Sequence, residues 1–333
     1  MRNPAHVPGA RMLALGEYRP ARVVTNDEIA PQIDSSDEWI RSHTGIVTRR
    51  WAETETVADM ATIAGEKALA NAGVDASDVD VVIVANCTHH MQTPGASSEV
   101  QERLGANKAG AMDLNAACAG FAYSLAVAND LIRAGTARYV LAIGSERFRE
   151  IIDPYDRSMA MLWGDGAGAA LVGPADEPGI GPVSWGSDGA RIETVQQEPN
   201  YMEVFQAAQE GKALPPTALR MQGPKVFRWA SYEMVHVAKR ALELADVKPD
   251  ELSAFVPHQA NTRIIDVLAR GVGLPEHVVV AKDIERQGNT SSASIPLALS
   301  ALLERGEVES GGLALFVGFG AGLTYAGQVA RIP

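Results

Sequence analysis

An α/β fold built from two similar halves is expected for this chain, on three grounds. Buried-type strands alternate with helix-forming runs, the second half repeats the element order of the first, and 333 residues exceed one ordinary core. The halves are placed at 11–178 and 179–333, as one large or two closely packed domains.

Residues 1–10 read as a loose tail, and Arg11 to Gly16 as the first strand. Ser35-Ser-Asp-Glu38 has the form of a capping box opening a short helix with Trp39 and Ile40. A helix is predicted from Val57 to Ala72, stopped by Gly73, and then a buried strand from Val81 to Ala85, ending at Asn86-Cys-Thr-His-His90. After a Pro94-Gly95 turn, a helix covers Ser97 to Leu104. In Asp113-Leu-Asn-Ala-Ala-Cys-Ala-Gly-Phe121 a strand passes into the helix Ala122 to Arg133, with Cys118 at the junction. Tyr139 to Ile143 is a third buried strand, and Gly164-Asp-Gly-Ala-Gly168 leads into a fourth, Ala169 to Val172.

From Gly173 to about Met221 the pattern lapses into turn residues and Pro215-Pro216, as a connector would. Lys225 to Ala245 is a long amphipathic helix. Leu252 to Pro257, ending at His258, then echoes the strand that ends at Cys87. Val278 to Asp283, followed by Gly288-Asn289 and a helical run, echoes the strand that ends at Cys118. Gly312 to Val317 and Leu323 to Ile332 echo the last two strands of the first half. A duplicated unit brings equivalent loops to one face, so Cys118, His258, Asn289 and the Gly318 to Gly322 loop are expected to converge.

Composition narrows the function. A net charge of −12 argues against nucleic acid as the main partner, and no apolar run approaches the roughly 20 residues that span a bilayer. The two cysteines, Cys87 and Cys118, with no secretory segment at the start, fit thiols in a reducing cytoplasm better than a disulfide framework.

Cys118 is the candidate nucleophile. At a helix start it meets unpaired N–H groups and the positive end of the helix dipole, which favour thiolate; the bland alternative is a cysteine filling the core. His258 and Asn289 have bland alternatives too, a structural histidine and a turn asparagine. Placed together beside a thiolate, the two neutral donors could hold a carbonyl oxygen and stabilise the enolate formed as carbon dioxide leaves. Cys87, His89 and His90 make a poor metal site, because adjacent histidines on an extended segment point to opposite sides and no fourth ligand is in view.

Asn115-Ala-Ala-Cys-Ala-Gly-Phe121, Gly164-Asp-Gly-Ala-Gly-Ala169, Val256-Pro-His-Gln-Ala-Asn261, Gly288-Asn-Thr-Ser-Ser-Ala-Ser294 and Gly318-Phe-Gly-Ala-Gly-Leu-Thr324 together resemble the signature set of β-ketoacyl-acyl-carrier-protein synthase III, in the thiolase superfamily. The likeness runs from about Arg11 to the C-terminus. Ile33 to Ile40 and Phe227 to Ala230 are most similar to actinobacterial members.

The resemblance implies a thiolase-like fold layered α-β-α-β-α and a two-step acyl transfer. Cys118 would take an acyl group from acyl-coenzyme A, which is a substrate; no cofactor or metal is implied. His258 and Asn289 would hold malonyl-acyl carrier protein while it decarboxylates, and the N–H groups of Cys118 and Ala321 would form the oxyanion hole. Trp39 and Arg157 would sandwich the adenine. Arg263 would contact the acyl carrier protein, with Arg228 and Arg270 extending a basic patch. The family's homodimer is implied as well. His43 stands where members often carry arginine, Pro224 where many carry asparagine, and Thr93 near the phenylalanine that closes the short-chain acyl pocket from the neighbouring subunit. A roomier pocket for branched or longer starters is therefore expected. The same residues would serve a priming synthase of polyketide assembly. A thioester hydrolase and a silent acyl-binding subunit are weaker readings, since no Gly-x-Ser-x-Gly elbow is present and Cys118, His258 and Asn289 are all retained.

Overall fold

The structure, a computed structural model, describes residues 7–333. In the first half β1 (Gly9–Tyr18), β2 (Arg22–Thr25), α1 (Asn26–Ile29), α2 (Asp37–Thr44), β3 (Thr48–Trp51) and α3 (Val57–Ala72) lead to the central strand β4 (Val81–Ala85). Then come α4 (Ala96–Leu104), β5 (Gly110–Leu114), α5 (Gly120–Arg133), β6 (Val140–Glu146), α6 (Arg157–Ala160) and β7 (Gly166–Ala175). The second half holds β8 (Ser184–Ser187), β9 (Val195–Glu198), α7 (Tyr201–Gln209), β10 (Ala218–Met221), α8 (Gly223–Ala245) and its central strand β11 (Ala254–Pro257). It closes with α9 (Thr262–Val272), β12 (Val279–Val280), α10 (Ile284–Gln287), α11 (Ser294–Glu304), β13 (Leu313–Gly320) and β14 (Thr324–Arg331).

The repeat seen in the sequence is a repeat in space. One sheet runs β1-β7-β6-β4-β5 and the other β8-β14-β13-β11-β12, so corresponding strands hold corresponding positions. Directions match as well: β4 is parallel to both neighbours, as is β11, while β6–β7 and β13–β14 are antiparallel. Helices α5 and α11 lie between the sheets, α3 and α4 cover the outer face of one, and α8 and α9 cover the other. This is the α-β-α-β-α layering. Its middle layer dictates composition, because a helix between two sheets has no wet face. Every residue of α11 from Ser294 to Leu302 is buried, and Phe121 and Leu125 of α5 share one core with Leu299, Ile83, Val256 and Phe316.

Three local expectations are corrected. The cap of α2 is Ser36, whose hydroxyl accepts from the Trp39 N–H; the third helical residue is then Trp39, so Ser35 and Glu38 form no capping box. Of the expected tail, residues 1–6 lie outside the described residues, and Gly9 and Ala10 already pair with β7. The connector between Gly173 and Met221 carries β8, the β9–β10 hairpin and the helix α7, whose polar and turn-rich composition hid short edge elements.

Candidate active site

Cys118 sits in a tight 3-10 turn, Ala117–Ala119, between β5 and α5. Ala117 is held at φ 46°, a left-handed conformation that costs a residue with a Cβ about 1–2 kcal/mol. The Asn115 carboxamide accepts from the Ala117 N–H at 3.3 Å, and the Thr324 hydroxyl donates to the Ala116 carbonyl at 2.7 Å, so the turn is tied from both halves. A Cβ on Gly320 would stand 2.6 Å from the Cys118 nitrogen; only glycine lets the end of β13 come this close.

The electrostatics reverse one expectation. The Cys118 sulfur opens onto a cavity and keeps some exposed surface, but protein encloses its other sides, and burial pushes its pKa up to about 12. The hydrogen bond between the sulfur and the Ser291 side chain and the residue's own N–H oppose this shift, and the nearby Glu146 carboxylate adds to it. Desolvation thus outweighs these hydrogen bonds, and Cys118 rests as a thiol.

His258 follows β11, buried, with its N–H on the Val317 carbonyl. Its Nδ1 lies 2.8 Å from the Ser294 hydroxyl, and the Phe319 ring meets the imidazole edge-on at 5.1 Å. Ser294 Oγ also accepts from the Gln259 N–H, and in the tautomer where it donates its own proton to Nδ1 the imidazole N–H stands on Nε2. Burial lowers the ring's pKa to about 3, so it is neutral at ordinary pH. Asn289 is anchored through its backbone to Leu162 and Gly164. Its Oδ1 accepts from the Ser291 N–H at 2.8 Å, which orients the amide with Nδ2 as the free donor. Both side chains are therefore neutral and able to donate.

Cys118, His258, Asn289 and Ala321 line a single cavity of about 610 Å3, together with Phe319 and Gly320 from the end of β13. The wall is mostly apolar, with Met161, Leu162, Trp163, Phe227 and Trp229 among its residues, and it continues to Trp39, His43, Arg157, Pro224 and Arg263. A long slot with an apolar wall and three convergent polar groups suits an acyl chain carried on a thioester.

At the rim the expected sandwich is closed. The Arg157 guanidinium lies 4.0 Å from the Trp39 ring centre, and His43 stacks on the same ring at 4.0 Å and 17°. Two groups that close must occupy opposite faces, so Trp39 has no free face, and a planar base between Trp39 and Arg157 would need roughly twice their spacing. His43, at a position where members of the resembled family often carry arginine, stacks here with its Nδ1 held by the Trp39 carbonyl at 2.7 Å.

The remaining candidates are spread out. Arg263 is exposed in the first turn of α9, over the Phe227 ring at 5.6 Å. Arg270, also exposed, is two turns further along the same helix. Arg228 lines a separate cleft of about 590 Å3 with Arg191, Lys225, Glu193 and Glu233. Thr93 is exposed on the loop before α4 and does not line the cavity. His89 and His90 pack together at 4.6 Å rather than pointing apart, because their segment is a loop and not a strand; among the described residues no metal-ligating cluster includes them.

Sequence reasoning missed Glu146, Ser291 and Ser294, which stand directly behind the three convergent groups. The serines lie inside the quoted Gly288 to Ser294 motif, but nothing in their spacing reveals what they touch.

Two family descriptions match the sequence: 3-oxoacyl-[acyl-carrier-protein] synthase III over residues 112–189, and its C-terminal part over 242–332. The chain is 50% identical to β-ketoacyl-[acyl-carrier-protein] synthase III 1 of Streptomyces coelicolor, over 98% of this chain and 97% of that protein. Among solved structures it is similar to the priming β-ketosynthase of the R1128 polyketide biosynthetic pathway, with a TM-score of 0.95 and 47% identity over 100% of this chain and 98% of the other. The 3-oxoacyl-[acyl-carrier-protein] synthase III of Aquifex aeolicus has a TM-score of 0.87 and 37% identity, covering 97% and 100%.

Proposed function

Because this chain belongs to the β-ketoacyl-acyl-carrier-protein synthase III family, we propose that it works through Cys118, His258 and Asn289 as two half-reactions in one cavity. It condenses an acyl-CoA starter with malonyl-acyl carrier protein and releases a 3-oxoacyl-acyl carrier protein, the step that initiates fatty acid synthesis. The observation that carries the residue assignment is the convergence of one thiol with two neutral donors at the end of an apolar slot.

In the first half-reaction the Cys118 sulfur attacks the thioester carbonyl of acyl-CoA, and the oxyanion receives the N–H groups of Cys118 and Ala321. CoA leaves and the acyl chain stays in the slot. In the second, His258 Nε2–H and Asn289 Nδ2 donate to the thioester carbonyl of the malonyl group. Loss of carbon dioxide then leaves an enolate that these donors stabilise, and its carbon attacks the Cys118 thioester. A histidine neutral down to about pH 3 suits this role, since it donates without titrating.

Trp39 and Arg157 hold the nucleotide once their stack opens, and Arg263, Arg228 and Arg270 meet an acidic carrier protein. No cofactor or metal takes part. The chain pairs with a second copy through the edge strand β5, whose outer side is unpaired among the described residues and whose Met112 is exposed. Thr93 of that copy then closes the acyl slot without a large side chain, which favours branched or longer starters. The reaction runs in the cytoplasm; among the described residues no helix is long and apolar enough to cross a membrane. The two halves, 11–178 and 179–333, divide the labour between nucleophile and donors.

The likeness to a priming ketosynthase supports a second reading, in which the same condensation primes polyketide assembly. One experiment addresses both. The protein is incubated with acetyl-, isobutyryl- and octanoyl-CoA, its intact mass is followed, and malonyl-acyl carrier protein is then added. A Cys118 adduct that disappears as 3-oxoacyl carrier protein forms is the expected result. An adduct that persists in Cys118→Ala, or none with any acyl-CoA, overturns the assignment. Faster turnover of acetyl-CoA than of the longer starters overturns the roomy slot. Testing the carrier proteins of the fatty acid and polyketide systems side by side separates the two pathways.

A further inference from the structure

Behind Cys118 lies a carboxyl group that the mechanism above leaves idle. Glu146, the last residue of β6, is fully buried, and every group that bonds to it is a donor. Thr88 Oγ1 donates to its Oε2 at 2.6 Å, the Cys87 N–H to the same oxygen at 3.0 Å, the Cys87 thiol to the carboxyl at 3.5 Å, and Ser291 Oγ to Oε1 at 3.0 Å. A donor-only environment is one that suits a carboxylate, which can only accept. Cys87 and Cys118 are the titratable groups that face it, and among the described residues no lysine, arginine or histidine side chain bonds to it. Burial without a countercharge raises its pKa, which makes it a stronger base than a surface glutamate.

Ser291 is the link. It is fully buried, at φ 49°, in a turn packed against the one that carries Cys118. Its position depends on Gly144, where a Cβ would fall 2.4 Å from the Ser292 carbonyl oxygen. Its hydroxyl donates to Glu146 Oε1 at 3.0 Å, and the same side chain is the hydrogen-bond partner of the Cys118 sulfur, so it stands between thiol and carboxylate. Its N–H orients Asn289.

We propose that Glu146 is a positioning residue that stores the Cys118 proton, through Ser291, for the lifetime of the acyl-enzyme. As the sulfur attacks acyl-CoA, the thiol proton passes to Ser291 Oγ and the Ser291 proton passes to Glu146 Oε1. The carbon–sulfur bond to CoA breaks, and the CoA thiolate takes its proton from solvent. Glu146 is then neutral while the enolate forms, so no buried negative charge opposes it. When the enolate carbon attacks, Cys118 leaves as a thiolate and recovers the proton by the reverse path. The cycle consumes one proton from solvent and leaves the relay as it began. His258 is a poor substitute as base, because Ser294 holds its Nδ1 and its Nε2 already carries a proton.

The relay rests on the condensing reading for its purpose, but its test does not need an acyl donor. Iodoacetamide alkylation of Cys118, followed by peptide mass so that Cys87 is counted apart, is measured against pH for the wild type, Glu146→Gln and Ser291→Ala. The relay predicts an alkylation rate that rises through the ionisation of Glu146. Both variants are expected to lose that limb and to react about a hundredfold more slowly at neutral pH, and the double variant to be no slower than either single one. Glu146→Asp restores part of the limb. An unchanged profile in Ser291→Ala, or a Glu146→Gln variant that is slower but keeps the limb, overturns the relay. If Glu146→Gln fails to fold, Ser291→Ala decides alone, since it leaves the N–H to Asn289 in place. Wild type that alkylates as predicted but takes no acyl group from any acyl-CoA overturns the condensing reading and leaves the relay standing.

Discussion

Asn289 and His258, the proposed donors, are held with little freedom. Each has one polar atom tied down, Asn289 Oδ1 by the Ser291 N–H and His258 Nδ1 by Ser294, so that only the donating atom faces the cavity. His258→Ala and Asn289→Ala are therefore expected to acylate at near wild-type rate, yet to decarboxylate malonyl-acyl carrier protein about 10²–10³-fold more slowly. Acyl-adduct mass and carbon dioxide release check the two steps separately; lost acylation with intact decarboxylation would reverse the roles. The same imidazole couples stability to pH. Its folded pKa, about 3, lies below the 6.5 of an unfolded histidine, so the unfolded chain binds the extra proton between these values. Stability is lost as pH falls below about 6.5, and a thermal melt of His258→Ala should decline less between pH 6.5 and 4 than that of the wild type. Equal slopes would mean that the ring does not stay neutral.

Elements meet at the site through backbone rather than side chains. The end of β13 touches the Cys118 turn only because position 320 has no Cβ, and the Thr324 hydroxyl holds the same turn from β14. Gly320→Ala is expected to push the turn aside and to slow acylation at least tenfold, with little change in decarboxylation, since the donors stand on α11's approach and β11 instead. Equal loss in both half-reactions, read from the same mass and gas assays, would point to collapse of the whole site. The succession of elements along the chain and the helical run that forms α11 were legible because each recurs in the two halves. The hairpin β9–β10 and helix α7 were not, because edge elements half in water carry no such pattern.

At the scale of the molecule, a protein of charge −12 must still attract an acidic carrier. Arg263 at the cavity rim and Arg270 on the same helix give a local positive surface that long-range repulsion does not cancel at physiological salt. Arg263→Glu is expected to raise KM for malonyl-acyl carrier protein at least tenfold and leave kcat, and KM for acyl-CoA, nearly unchanged. A fall in kcat alone would remove Arg263 from the docking surface. Pairing through β5 predicts a dimer by sedimentation, weakened in Met112→Lys because a charge is then buried where two edges meet; an unaltered dimer would place the interface elsewhere.

Residue identity and order alone determined the two-fold repeat and the layered α/β architecture and pointed to the trio Cys118, His258 and Asn289, because periodicity, strand-end position and the family's motifs are all local in sequence. Tertiary structure decided the rest. It made Cys118 a thiol rather than a thiolate, since desolvation depends on what encloses the sulfur. It closed the Trp39 stack with His43 and Arg157. It also set Glu146 and Ser291 behind the nucleophile, two residues 145 positions apart that share a hydrogen bond no sequence pattern encodes.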